Sequence, residues 1–165
     1  MQIRQIFISA GHNYFGHHGR PPDNHPLIEV PQIECVAGRG IRGDRFFDYK
    51  DDYKGQITFF SFDVFEKLAA HFALTDKSPG ALRRNVIVSG VDLNDLIGQE
   101  FSIQGVQLFG TAHCRPCYWL DQAIVPGTEE FLKGNGGLRA QILTDGVIAV
   151  GDAQLLLAAP RLLES

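Results

Sequence analysis

Eighteen glycines and eight prolines are scattered through the 165 residues, a combined share above the ~12% of an average chain. They stand between short apolar runs rather than in one tract. A chain broken this often cannot form long helices. Its simplest solution is many short strands joined by tight turns. The length suits one domain at ~100–200 residues per domain, so residues 1–165 are expected to form a single unit. With 44% hydrophobic and 21% charged residues, the chain can bury a core without disulfide or metal staples.

Residues 2–9 alternate as a strand does. Residues 11–26 hold His12, His17, His18, His25 and three prolines, and predict a long loop. Leu27 to Val36 is an interrupted edge strand broken at Pro31, and residues 38–44 form a glycine-rich turn. Residues 55–61 are a strand. Residues 62–71 place Phe62, Phe65, Leu68 and Ala69 at helical spacing. Residues 85–88 are a buried strand, and residues 92–96 a turn or one helical turn. Residues 100–108 fold about Gln104-Gly105 as a hairpin. A short helix is expected around Phe131. Strands follow at 138–143, at 147–150 after an Asp145-Gly146 hairpin turn, and at 153–159. The fold class is therefore mainly β, a closed or nearly closed β-barrel with one or two short helices, because closure removes exposed strand edges.

Fifteen Lys and Arg against nineteen Asp and Glu give a net charge of −4. That disfavours nucleic-acid coating, which needs a basic face. No apolar run approaches the ~18 residues of a membrane span. The first residues carry no signal-peptide pattern, and three cysteines make a disulfide framework unlikely. The expected location is cytoplasmic.

The sharpest chemical feature is His113-Cys114-Arg115-Pro116-Cys117, which enters an irregular stretch with Trp119 and Asp121. Two cysteines at this spacing are half of a zinc pair, and the other half is missing. A thioredoxin-like redox pair needs a βαβ setting that is absent here. Two buried thiols acting as small hydrophobes are the plain alternative. Arg115 and Pro116 instead suggest an exposed electropositive turn, where a thiolate serves as soft ligand or nucleophile. Separately, Gly40-Ile41-Arg42-Gly43-Asp44-Arg45, Arg83-Arg84-Asn85 and Asn135-Gly136-Gly137-Leu138-Arg139 each join arginine to a turn whose backbone donors can approach an anion. Several such turns in an acidic chain suggest a local anion site. The histidines of the loop are candidates for its rim, although their spacing matches no standard metal motif.

In this order these segments resemble the MOSC family, named for the C-terminal domain of molybdenum-cofactor sulfurase, in its bacterial stand-alone form. The resemblance runs from about residue 30 to 155 and includes Gln56-Ile57-Thr58, residues 84–93, Leu96-Ile97-Gly98, Pro116-Cys117, residues 136–140 and residues 146–152. It implies a barrel of the pyruvate-kinase-insert type that binds the molybdenum cofactor, molybdopterin with its metal. By position, Cys117 is the implied metal ligand, with Cys114 as the second candidate thiol. Arg42, Gly43, Asp44, Arg45, Arg84, Asn85, Gly137 and Arg139 are implied to hold the anionic cofactor, and Asp121 or His113 to move protons. The implied activity, independent of pyridoxal phosphate, is reduction of an N-hydroxylated small molecule with electrons from a separate reductase. The alternative is a non-redox sulfur carrier that uses a Cys114 or Cys117 persulfide and works with a cofactor-biosynthesis protein. Neither implies a nucleic-acid or membrane partner.

Overall fold

The computed structural model describes residues 1–159, so the end of the expected 1–165 unit lies outside the described residues. Strands β1 (Gln2–Ile8), β2 (Ile28–Glu29), β3 (Gln32–Val36), β4 (Gly40–Ile41) and β5 (Ile57–Ser61) precede helix α1 (Phe62–His71). Strands β6 (Val86–Ser89), β7 (Glu100–Ile103) and β8 (Val106–His113) lead to helices α2 (Trp119–Ala123) and α3 (Thr128–Phe131). Strands β9 (Leu138–Ile142), β10 (Gly146–Ala149), β11 (Gly151–Asp152) and β12 (Leu155–Leu157) follow. One sheet runs β11-β1-β6-β5-β9-β8-β7-β12, with β2 added on β1, and a smaller one runs β10-β3-β4.

The fold is mainly β, as expected, but the sheets are open and mixed. No ladder joins β11 to β12, so the expected barrel closure is not found among the described residues. The two edges are nonetheless consecutive in the chain, three residues apart from Asp152 to Leu155, a span of at most ~10 Å. The large sheet therefore curls round until its edges are close. The β5–β6 pair is parallel within otherwise antiparallel ladders, because α1 carries the chain back between these two strands.

Alternating residues explain two cores. Ile6, Phe59, Val86 and Val88 point to the inside of the curled sheet. Phe7, Phe60 and Ile87 point outward, where Phe65 and Leu68 of α1 and Leu120 of α2 cover them. Strands β5 and β6 are buried on both faces, which is why they read as continuous apolar runs. Helix α1 begins at Ser61, whose side-chain oxygen accepts from the Val64 N–H at 3.2 Å.

The Gln104-Gly105 hairpin forms between β7 and β8. The Asp145-Gly146 hairpin does not. Strand β9 already uses both edges, against β5 and β8, so β10 crosses to β3. Asp145 instead accepts from the Ala37 N–H at 2.8 Å, on that smaller sheet. The stretch after Cys117 is not wholly irregular, because Trp119 and Asp121 lie in α2. That makes three α-helices among the described residues where one or two were expected. No described helix is long and apolar enough to cross a membrane.

Candidate active site

A cavity of about 190 Å³ lies where the start of β5, the end of β8 and the start of β9 meet the helical layer. Arg84 from before β6, Arg139 from β9 and Cys117 from the turn after β8 all line it. They are about 20 to 55 positions from one another in sequence. Cys114, Arg115, Arg45 and Arg83 line it too.

The close approach of two segments sets the thiol turn. The Cys114 N–H donates to Gly137 O at 2.8 Å, which extends the β8–β9 pairing by one step. A Cβ on Gly136 would stand 2.1 Å from Cys114 O, so only glycine permits this contact. Cys114 is thereby buried, whereas Cys117 is exposed. The two thiols thus differ, which neither a doubly buried nor a doubly exposed reading anticipates. Cys117 O then accepts from the Leu120 N–H at 3.0 Å and leads into α2.

The arginines are held from behind. Arg45 donates to Asp44 at 3.2 Å, and both side chains are almost fully buried. Asp44 also accepts from the Ser9 N–H at 3.1 Å and the Phe46 N–H at 3.3 Å. Arg84 donates to Gly136 O and Leu82 O, and Arg83 to Ser9 Oγ and Gly11 O. Each guanidinium carries five N–H donors, so these contacts leave capacity for a ligand. Among the described residues no carboxylate pairs with Arg83, Arg84, Arg115 or Arg139. Burial first, and Arg45 second, pull the Arg83 pKa down to about 10. Burial likewise lowers Arg45, against the opposing pull of Asp44. Positive charge gathered in a half-dry cavity calls for an anion.

Loop residues 11–26 form the outer wall. Arg83 donates to Gly11 O and, at 3.4 Å, to His25 O. Tyr14 packs on Trp119 with centroids 5.1 Å apart, and Tyr118 Oη lies 3.3 Å from His18 Nδ1. The loop thus lies against the thiol turn. Of its histidines only His12 lines the cavity. His17 turns to Pro21 O and His25 to Asp23. Among the described residues no three His, Cys, Asp or Glu side chains are placed to hold a metal ion.

Several residues expected at the site lie elsewhere. Arg42 is an exposed partner of Glu34 at 2.9 Å, and Gly43 is exposed beside it. Asn85 is buried behind the cavity, accepting from Thr58 and donating to Phe7 O. Gly137 backs the wall against Phe59 O rather than lining it. Asp121 accepts from the Glu129 N–H at 2.8 Å and fixes the α2–α3 corner. His113 is the exposed last residue of β8. Sequence reasoning missed Tyr53, Thr58 and Trp119 as lining residues. Arg83, which the Arg83-Arg84-Asn85 turn offers as an anion binder, does line the cavity.

The MOSC domain profile matches residues 16–154. The chain belongs to the MOSC domain family. No curated protein matches it significantly. Among solved structures it is similar to the YuaD protein from Bacillus subtilis, with a TM-score of 0.77 and 18% identity over 96% of both chains. It is also similar to YiiM from Geobacillus stearothermophilus, with a TM-score of 0.68 and 17% identity, covering 96% of this chain and 75% of that one. YiiM from Escherichia coli gives a TM-score of 0.65 and 15% identity, covering 96% and 70%. At these identities the MOSC fold is what is shared. The MOSC family is associated with the molybdenum cofactor, and the donor set of this cavity fits that group. One exposed thiol suffices for a metal that brings its own two dithiolene sulfurs. The arginines without carboxylate partners suit a phosphate.

Proposed function

We propose that this MOSC domain binds the molybdenum cofactor and reduces an N-hydroxylated small molecule, drawing electrons from a separate reductase. The observation that carries the reading is an exposed Cys117 thiol in the same cavity as Arg84, Arg115 and Arg139. When bound, the cofactor supplies the redox chemistry. The chain supplies the rest. Cys117 is the protein's sulfur donor to the metal, a soft ligand for a transition metal. Arg84, held by its bonds to Gly136 O and Leu82 O, and Arg139 take the anionic phosphate with charge-assisted hydrogen bonds. Arg115 adds positive charge at the mouth. The 11–26 loop and Trp119 narrow the entrance and limit water.

A sulfur-carrier reading has one observation in its favour: Cys114 and Cys117 share the cavity, one buried and one exposed. A sulfane sulfur on Cys117 would be within the same enclosure as a second thiol able to resolve it.

Replacing the cysteines one at a time separates the readings. The protein is purified from a host that makes molybdenum cofactor, and its metal and pterin contents are measured. The reductase reading expects molybdenum and pterin together in the wild type, loss of the metal in Cys117→Ala, and retention in Cys114→Ala. Cofactor retained in Cys117→Ala, with a protein persulfide lost, supports the carrier. A wild type that folds but takes up neither metal nor pterin overturns the reductase reading and shifts weight to the carrier.

A further inference from the structure

His12 is the unexplained group of this cavity. Its Nδ1 is the one buried side-chain polar atom among the described residues without a hydrogen-bond partner. Such atoms are rare in folded proteins, and each calls for a reason. The imidazole lines the cavity that holds Cys117. Aromatic rings hold it in place: Phe46 at 4.8 Å between centroids, Phe15 at 5.2 Å and Tyr49 at 6.0 Å. None of these rings offers the imidazole a strong acceptor or donor on its face. A residue with no structural bond to make, packed firmly into a ligand cavity, is pre-organised for a bond to something else.

The charged groups around it set its state. Burial comes first and Arg45 second in lowering its pKa below the ordinary 6.5, with Arg83 and His25 acting the same way and Asp44 opposing. At pH 7 the ring is therefore neutral and carries both a donor and an acceptor nitrogen. A neutral imidazole among arginines suits a polar, uncharged group such as N–OH. The arginines suit the anionic part of the same ligand set.

We propose that His12 is the residue that reads the polar N–O group of the substrate, hydrogen-bonding its hydroxyl while Phe15 and Phe46 contact the apolar remainder. The inference rests on the reductase reading above. It assigns substrate discrimination to the N-terminal loop, outside the arginine set and the thiol turn.

The test uses full-length, cofactor-loaded protein without electron donor, so that only binding is read. The probes are phenylhydroxylamine and aniline, which are both neutral at pH 7 and differ by one hydroxyl. Equilibrium binding of each is measured for the wild type, His12→Phe and His12→Gln, with molybdenum and pterin content determined on the same samples. The proposal expects His12→Phe to keep its cofactor and to bind phenylhydroxylamine about tenfold more weakly, the worth of one hydrogen bond. Aniline binding should change less than twofold. His12→Gln, which keeps a donor and an acceptor, should recover most of the discrimination. Equal weakening for both probes would assign His12 a structural role and overturn the proposal, as would no change for either. Loss of cofactor in His12→Phe overturns it too, because His12 then serves the cofactor rather than the substrate. A wild type that loads cofactor but does not distinguish the probes overturns the inference alone. A wild type that loads no cofactor sinks the functional reading and this inference with it.

Discussion

Asp44 does its work one step behind the cavity. Its carboxylate accepts from two backbone N–H groups and from the buried Arg45 guanidinium, so it neutralises and aims the arginine that lines the site. The resemblance places Asp44 among the cofactor contacts, but its burial at 5% exposure and its full set of partners give it a positioning role. Removing one partner of a buried ion pair strands the other, which costs ~3–5 kcal/mol. Asp44→Ala should therefore reduce the unfolding free energy read from urea denaturation by an amount in that range, with a lower midpoint. Asp44→Asn keeps an acceptor for the backbone donors and should lose less. Equal midpoints for wild type and Asp44→Ala would mean that Arg45 finds solvent, and that the pair does not organise the wall. Cys114 and Cys117 make the same point about residues. They are three positions apart, yet one is packed under Gly136 and the other faces out, so single substitutions can assign them separate roles.

At the scale of elements, α1 and β8 show where backbone geometry governs. Helix α1 has Ser61 as its cap, Asp63 in its first turn and Phe65 and Leu68 on its buried side. Loss of an N-cap side chain costs ~1 kcal/mol, so Ser61→Ala should reduce unfolding free energy by about that much without moving the site. Strand β8 bends at Gly110, where the ladder to β9 shifts register. A Cβ there would lie 2.0 Å from Leu96 O, a backbone atom that cannot swing aside. Gly110→Ala should therefore be far more damaging than Ser61→Ala. Chemical denaturation of both variants checks the ranking, and the reverse order would refute this account of the bend. The β8 bend matters to function because Cys114 and Cys117 follow at its end.

For the whole molecule, the excess of arginines at one cavity sits inside a chain of net charge −4. The bulk charge keeps the protein from binding anions everywhere, and the local cluster lets it bind one. His12 links this site to stability. Its pKa is lowered in the folded state, so the unfolded chain takes up the proton first as pH falls. Folding stability is then unaffected above the unfolded value of 6.5 and declines as pH drops below it, until the folded pKa is reached. The thermal midpoint of the wild type should fall relative to that of His12→Phe on going below pH 6.5. Parallel profiles for the two proteins would show that the ring protonates freely in the fold.

Much of the element order was legible in the sequence, because period and punctuation are local properties. The α1 face, the buried 86–88 run and the Gln104-Gly105 hairpin all follow from spacing alone. The arginine-and-glycine turns and the Cys114–Cys117 segment were legible as site material for the same reason, since their residue types announce their chemistry. Pairing was not legible. Asp145-Gly146 carries a hairpin's residues, but β9 had no free edge left, and only the assembled sheet reveals that. Nor could spacing say that Arg42 turns out to Glu34 while Arg139 turns in, or that Asn85 is spent in the core. His12 was a rim candidate by residue type, but which of the four loop histidines enters the cavity depends on Phe46 and Tyr49, more than 30 positions away in sequence. Local order is written in the residues' own preferences, whereas the membership of a cavity depends on which distant segments the tertiary fold brings together.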